Sequence, residues 1–210
     1  MRADTDSHCD LAAGQRSLRT SPLARIAQAL RTGLMALLFG VTLTMTSKAE
    51  SAAETLEYRV KAAFVCKFAS YVEWPSQSFA HPEDPVVIGV IASDAVFEEL
   101  SRTAGALSVE GRRLVVRKVT RSEPVVGAHL VYITRSGDDQ LAETLAMLKG
   151  QPVLAVTESS RGPALGSMIN FVVVDDKVRF DVSPQTAEAS QLRISARLLG
   201  VARSVVGRGS

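Results

Sequence analysis

Histidine and cysteine are the side chains that most often bind transition metals, and beyond residue 49 the chain has three of them, at His81, His129 and Cys66. Their spacing matches no zinc or iron motif, so we expect neither a metal nor a cofactor. His129 lies in a strand-like apolar run, which favours a partly buried ring with satisfied nitrogens. Cys66 is either a small buried hydrophobe or, as the alternative, one half of an intermolecular disulfide.

Motifs that carry catalysis are also missing from the sequence, which has no nucleophile elbow, phosphate-binding loop or dinucleotide fingerprint. Residues 162–167 are small, but Pro163 removes one amide that a phosphate would need, so we predict a connector there. Asp175 and Asp176 form a carboxylate pair that a turn explains without acid–base chemistry. The sequence therefore predicts a protein that is not an enzyme.

Lys67 is the unusual side chain of the first predicted helix. At 100° per residue it falls close to the centre of an apolar stripe, between Phe64 and Tyr71. A lysine there must extend its ammonium to water, pair with a carboxylate, or face something outside the monomer. One hypothesis is that Lys67 reaches a carboxylate on a partner or ligand.

The elements that would position these residues alternate between helix and strand. Helical periods predict helices over residues 56–72, 94–106 and 138–148, the first ended by Trp74-Pro75. Short apolar runs predict strands at residues 86–91, 114–119, 128–133 and 153–156. This alternation is typical of an α/β fold with a mostly parallel sheet that helices cover on both faces.

The pattern changes in the last quarter of the chain. Residues 169–174 and 178–182 flank a tight polar connection at 175–177, which predicts an antiparallel hairpin at one edge of the sheet. Ser183-Pro184 and Ser195 then begin two short helices, separated by a break at residues 190–194.

The N-terminal segment has the features of a secretory signal. An apolar run at residues 33–45 follows four arginines and precedes Ser47-Lys48-Ala49, a small-x-small cleavage pattern. We predict a Sec-type signal peptide over residues 1–49, a single domain over 50–206 and a disordered tail at 207–210. The run is too short to span a bilayer comfortably, which argues against a permanent membrane anchor. We therefore predict cleavage and release into the periplasm.

Charge is concentrated in that leader. The whole chain has a formal charge of +2, but positions 1–49 hold six basic and three acidic residues, so the remainder is close to neutral. The folded part therefore gives no electrostatic basis for binding nucleic acid.

With these residues in view, the chain resembles the YfiR-like family of periplasmic regulatory proteins over about residues 58–202. The similarity lies in four separate blocks: residues 58–64 with the Trp74-Pro75 end, residues 150–156, residues 166–171 with 178–180, and Ser195 with Leu198-Leu199. The family commonly has Asn at the position of Lys67, Gly at Ser167 and Asn at Ser183. The disulfide cysteines of some relatives are missing here.

The resemblance implies a non-enzymatic inhibitor. Family members bind the periplasmic portion of an inner-membrane diguanylate cyclase and hold down its cyclic-di-GMP output, and they are often dimeric, so a homodimer is one alternative. Contact with the membrane would come only through the partner. A periplasmic small-molecule-binding protein is the runner-up, since ligands of open α/β sheets bind beyond the carboxyl ends of the strands.

The candidate partner surface combines the helix end with the hairpin, where aromatic side chains are plausible anchors. The alternative for Trp74 and Phe180 is that they fill the core. The predicted partner-binding residues are Lys67, Tyr71, Glu73, Trp74, Asn170 and Phe180.

Overall fold

The computed structural model describes residues 54–120 and 125–207. The predicted signal peptide and its cleavage point lie outside the described residues, as do residues 208–210 of the predicted tail. Six α-helices occur in the described part of the chain: α1 (residues 54–68), α2 (Asp94–Gly105), α3 (Asp138–Leu148), α4 (Gly162–Leu165), α5 (Pro184–Ala189) and α6 (Ala196–Val201).

The same described residues contain ten strands. They are β1 (Val72–Glu73), β2 (Val86–Ile91), β3 (Ser108–Val109), β4 (Arg112–Lys118), β5 (Leu130–Ile133), β6 (Leu154–Thr157), β7 (Ile169–Val174), β8 (Lys177–Val182), β9 (Arg193–Ile194) and β10 (Ser204–Val205). Eight of them form one sheet in the order β10-β8-β7-β6-β5-β2-β4-β3, and β1 pairs with β9. Within the run β7-β6-β5-β2-β4 all neighbours are parallel. Strand β3 is antiparallel to β4 and β8 is antiparallel to β7, whereas β10 is parallel to β8. The predicted fold class is confirmed.

Burial on both faces explains the continuous apolar strands. In β5, Leu130 and Tyr132 belong to the core under α1 and α2, while Val131 and Ile133 belong to the core under α3. Alternate side chains of a strand point to opposite faces of the sheet. When helices cover both faces, no position of the strand faces solvent, and every position favours an apolar residue. All four residues of β5 are accordingly buried.

Helix α1 ends earlier than the sequence pattern predicts. The helix stops at residue 68, a 3-10 turn spans Ala69–Tyr71, and Val72 is extended at φ −118° and ψ 131°. Val72 pairs with Ile194, and the Ser195 amide donates to the Tyr71 carbonyl oxygen at 2.9 Å. A long-range strand pairing therefore ends the helix before Trp74-Pro75 can.

The C-terminal hairpin is confirmed with a two-residue turn. Asp175 and Asp176 have φ values of 50° and 54°, the left-handed conformation that a type I′ hairpin turn requires. Strand β8 begins at Lys177, opposite Val174, one residue earlier than expected.

Two connecting segments have more structure than the sequence predicted. The predicted connector at residues 162–167 contains α4, with Pro163 in its first turn and Gly166 at φ 100° closing it. The predicted break at residues 190–194 contains β9. Ser195 caps α6 as predicted, since its hydroxyl accepts from the Leu198 amide.

Candidate functional site

The segment after α1 brings three of the predicted partner-binding residues together. Glu73 is exposed and lies opposite Arg193, also exposed, in the β1–β9 pair. Tyr71 and Trp74 are half-buried beside them. We call the exposed surface of Tyr71, Glu73, Trp74 and Arg193 the corner surface.

Trp74 is held by contacts within the protein. Its indole N–H donates to the His129 carbonyl oxygen at 3.2 Å, and its ring meets the Phe79 ring edge to face at 6.5 Å. Phe79 stacks on the His129 ring at 4.3 Å, and the Arg112 guanidinium lies 3.9 Å from the Phe79 ring centroid. These contacts orient Trp74 and leave only part of its ring for a partner.

His129 has the satisfied ring that the sequence predicted. Burial lowers its pKa, which favours the neutral imidazole. Its Nδ1 accepts from the Val87 amide at 3.1 Å, so Nε2 carries the hydrogen and donates to the Ser78 carbonyl oxygen at 2.9 Å. The two nitrogens thus join the residue before β5 to strand β2 and to the loop that precedes β2.

Lys67 does not lie on the buried face of α1. Its side chain is exposed, as is Ala63, and the buried positions are Lys61, Ala62, Val65, Cys66, Phe68 and Ala69. The predicted placement in the centre of the buried stripe was wrong because α1 has two overlapping apolar stripes and the sheet selects the other one. A role for Lys67 in partner binding stays a prediction, now for an exposed ammonium.

Asn170 and Phe180 are buried, with 4% and 2% of their surfaces exposed, so neither reaches the surface of the described protein. The Phe180 ring centroid is 5.0 Å from that of Phe68 and 5.5 Å from that of Phe64. The core alternative is therefore the correct one for Phe180.

Asn170 fixes the loop after β6. Its amide group lies 2.6 Å from the Thr157 hydroxyl and 3.0 Å from the Ser159 carbonyl oxygen. A carbonyl oxygen can only accept, so the amide nitrogen faces Ser159 and Thr157. A Cβ at Gly162 would lie 2.3 Å from the Thr157 hydroxyl oxygen, so this packing requires glycine.

A buried charge network is the feature that sequence reasoning missed. Lys61 has 2% of its surface exposed, and its ammonium lies 2.5 Å from a Glu57 carboxylate oxygen and 3.1 Å from a Glu158 oxygen. Arg135 pairs with Glu57 at 3.0 Å and approaches Glu158 at 3.8 Å, while the Tyr132 hydroxyl donates to Glu158. We call Glu57, Lys61, Tyr132, Arg135 and Glu158 the charge network.

The charge network has two carboxylates and two cations, so its charges balance. Burial and the Glu158 carboxylate raise the pKa of Tyr132 well above 10, which keeps its hydroxyl protonated as a donor. The network joins α1 to the carboxyl ends of β5 and β6. The Glu57/Lys61 pair at i and i+4 was the sequence signal that could have located it.

Two cavities border the described residues near the C-terminal helices. A groove of about 580 Å³ lies next to the corner surface, lined by Pro184, Gln185, Glu188, Gln191, Leu192, Arg193, Ile194 and Leu199. A second cavity of about 530 Å³ is lined mainly by apolar side chains of α3, α4 and α5. The charge network occupies the carboxyl ends of β5 and β6, where the runner-up interpretation expected a ligand; a small-molecule ligand stays a prediction.

Cys66 is buried, with 1% of its surface exposed, and burial raises the pKa of its thiol to about 12. We expect this thiol in the mature protein to react with a disulfide reagent at least ~10³-fold more slowly in the native state than in denaturant, because reaction requires opening of the fold. Absorbance of the released thiolate measures the rate. An intermolecular disulfide through Cys66 is therefore not compatible with the folded protein.

The matched control for this experiment places the thiol one residue further, in a Cys66→Ser, Lys67→Cys double variant. The exposed thiol should react at the rate of a denatured chain. Equal native rates for Cys66 and for the control thiol would show that α1 does not bury Cys66.

The fold and the corner surface define a class, a small α/β protein with a mostly parallel sheet and a groove beside a two-stranded ribbon. Residues 58–203 match the YfiR/HmsC-like family, which covers most of the described chain, and the protein belongs to that family. The family is periplasmic, regulatory and non-catalytic. A comparison with curated proteins found no match. No helix among the described residues is both long and apolar enough to span a bilayer.

Proposed function

We propose that this protein is a periplasmic regulatory protein, without catalytic activity, that binds the periplasmic portion of an inner-membrane diguanylate cyclase and lowers its cyclic-di-GMP output. The observation that carries the proposal is the family match over residues 58–203. The chain is delivered to the periplasm by the leader at residues 1–49, which is removed near Ala49.

The corner surface supports a protein partner. Glu73 and Arg193 are exposed opposite charges on neighbouring strands, and half-buried Tyr71 and Trp74 lie beside them. Interfaces commonly have an aromatic centre and a polar rim, and aromatic residues and arginine dominate their energetics. This arrangement suits a segment of another protein with both apolar and charged side chains.

The neighbouring groove extends the same surface. Leu192, Ile194 and Leu199 give it apolar walls, and Glu188 and Arg193 put one charge of each sign on its lining. A volume of about 580 Å³ is enough for several side chains of a docked segment. The groove and the corner surface share Arg193 and would be covered together.

The test is affinity capture of the mature protein with cross-linking from solubilised membranes, followed by measurement of cyclic-di-GMP in cells that express it with the captured cyclase. We expect a diguanylate cyclase in the capture and a lower cyclic-di-GMP level when the protein is present. Capture without any inner-membrane signalling protein, or an unchanged cyclic-di-GMP level, would contradict the proposal.

A charge reversal tests whether the contact lies on the corner surface. Glu73→Lys should weaken cyclase binding about tenfold, because the reversed charge faces the group that Glu73 attracted and like charges across an interface repel each other. Glu98→Lys, at an exposed position of α2, is the matched control and should bind like the wild type. Equal binding by both variants would place the contact elsewhere.

A further inference from the structure

Strand β4 lies near one end of the main sheet, and most of its outer edge has no neighbour among the described residues. Strand β3 pairs only with Arg112 and Arg113, through Val109 and Ser108. The remaining residues of β4, 114–118, have β2 on one side, and on the other side no strand from residues 54–120 or 125–207.

The hydrogen-bond pattern identifies the backbone groups at this open edge. The Val119 amide donates to the Val90 carbonyl oxygen at 2.8 Å, so residue 119 directs its backbone groups toward β2. Residues of a strand alternate in this direction. Leu114, Val116 and Lys118 therefore direct their N–H and C=O groups outward, where they are available to an added strand.

The side chains along β4 are strongly basic. The strand contains Arg112, Arg113, Arg117 and Lys118 and no acidic residue. Lys118 has a carboxylate partner in Asp94. Arg112 and Arg117 instead donate to backbone carbonyl oxygens, which leaves their charge uncompensated by a salt bridge among the described residues.

Apolar surface lies between these cations. Val115 is 38% exposed and shares one face of the strand with Arg113 and Arg117. Leu107, which immediately precedes β3, is 44% exposed. On this face, an extended chain beside β4 would contact two arginines with a valine between them.

Charge decides which extended chain fits. Two copies of β4 joined edge to edge would bring the arginines of the two strands close together, and like charges across a strand pair are destabilising. Basic residues on an edge strand thus oppose edge-to-edge association between two copies of the same sheet. They do not oppose a strand that carries carboxylates.

We propose that the open edge of β4 binds an extended acidic segment of a partner protein as an added strand. Backbone groups of Leu114, Val116 and Lys118 supply the hydrogen bonds, and Arg113 and Arg117 supply the preference for acidic side chains. This inference concerns a surface separate from the corner surface and does not depend on the identity of the cyclase.

The test measures amide hydrogen exchange by nuclear magnetic resonance on the mature protein. The probe is a short capped peptide that alternates glutamate with valine, and the control peptide alternates lysine with valine. At a concentration about ten times its Kd, the acidic peptide should slow exchange at Leu114, Val116 and Lys118 about tenfold. The lysine peptide should leave these amides unchanged.

Two variants locate the interaction. Val116→Pro removes an outward N–H and should abolish peptide binding while the fold persists, because proline is tolerated where the N–H faces solvent. If that variant does not fold, Arg113→Gln with Arg117→Gln provides the second measurement and should weaken binding of the acidic peptide at least tenfold. Unaltered binding by the folded variants would overturn the proposal.

Three results with the wild-type protein would also overturn it. The first is the absence of protection by the acidic peptide. The second is equal protection by both peptides. The third is protection without peptide that increases with protein concentration, because a second copy would then occupy the edge.

Discussion

Replacing Lys61 with methionine should destabilise the protein by about 3–5 kcal/mol, the usual cost of removing one partner from a buried ion pair. Methionine keeps most of the length of the side chain but leaves Glu158, whose side chain is 7% exposed, without its closest cation. Arg135 is 3.8 Å from Glu158 and largely exposed, so it compensates little. Urea unfolding of the mature protein measures the effect.

Lys67→Met is the matched control on the same helix. Lys67 is exposed, so its replacement should change the free energy of unfolding by no more than about 0.5 kcal/mol. Adding Glu158→Gln to Lys61→Met removes the uncompensated carboxylate and should restore part of the lost stability. Similar stabilities for Lys61→Met and Lys67→Met would show that the charge network does not hold α1 on the sheet.

Phe180→Ala should cost about 3–5 kcal/mol as well, because it leaves a cavity among packed aromatic rings. Phe180 contacts Phe64 and Phe68, the two rings of α1 that face the hairpin. The variant should unfold at lower urea, and the fraction that remains folded should still bind the cyclase. Unfolding and binding measured on the same preparation separate the two effects.

Val173→Ala is the control for the hairpin, since Val173 is 46% exposed and its truncation should change stability little. Phe180→Leu keeps most of the volume and should cost less than about 1.5 kcal/mol. Loss of cyclase binding by Phe180→Ala at unchanged stability would show that Phe180 acts at the interface.

The strands and α3 were predictable because their signals are local. Residues 86–91 form an uninterrupted apolar run, and the predicted strand and β2 have the same bounds. Helix α3 has the bounds 138–148 that its apolar period predicted, with Leu141, Leu145 and Leu148 buried on one side. The hairpin followed from two β-rich runs around a polar turn.

The orientation of α1 depended on tertiary contacts. Its sequence has one apolar stripe that includes Phe64 and another that includes Val65 and Cys66. Periodicity alone favoured the first and so placed Lys67 inward. The sheet buries the second stripe and with it Lys61, because the carboxylate of Glu158, far along the chain, joins that of Glu57 in satisfying the buried ammonium.

The candidate site was predictable only where residues are close in sequence. Tyr71, Glu73 and Trp74 lie together because they are neighbours in the chain, whereas Arg193 and the groove join them through the two-residue pairing of β1 with β9.

The amino-acid sequence by itself determined the α/β class, the positions of the main strands along the chain and the family blocks, since each depends on composition and period within a short segment. Only the tertiary structure decided which lysine is buried, that Asn170 and Phe180 are internal, and which edge of the sheet stays open. Those outcomes depend on pairings between distant segments, and no local pattern encodes them.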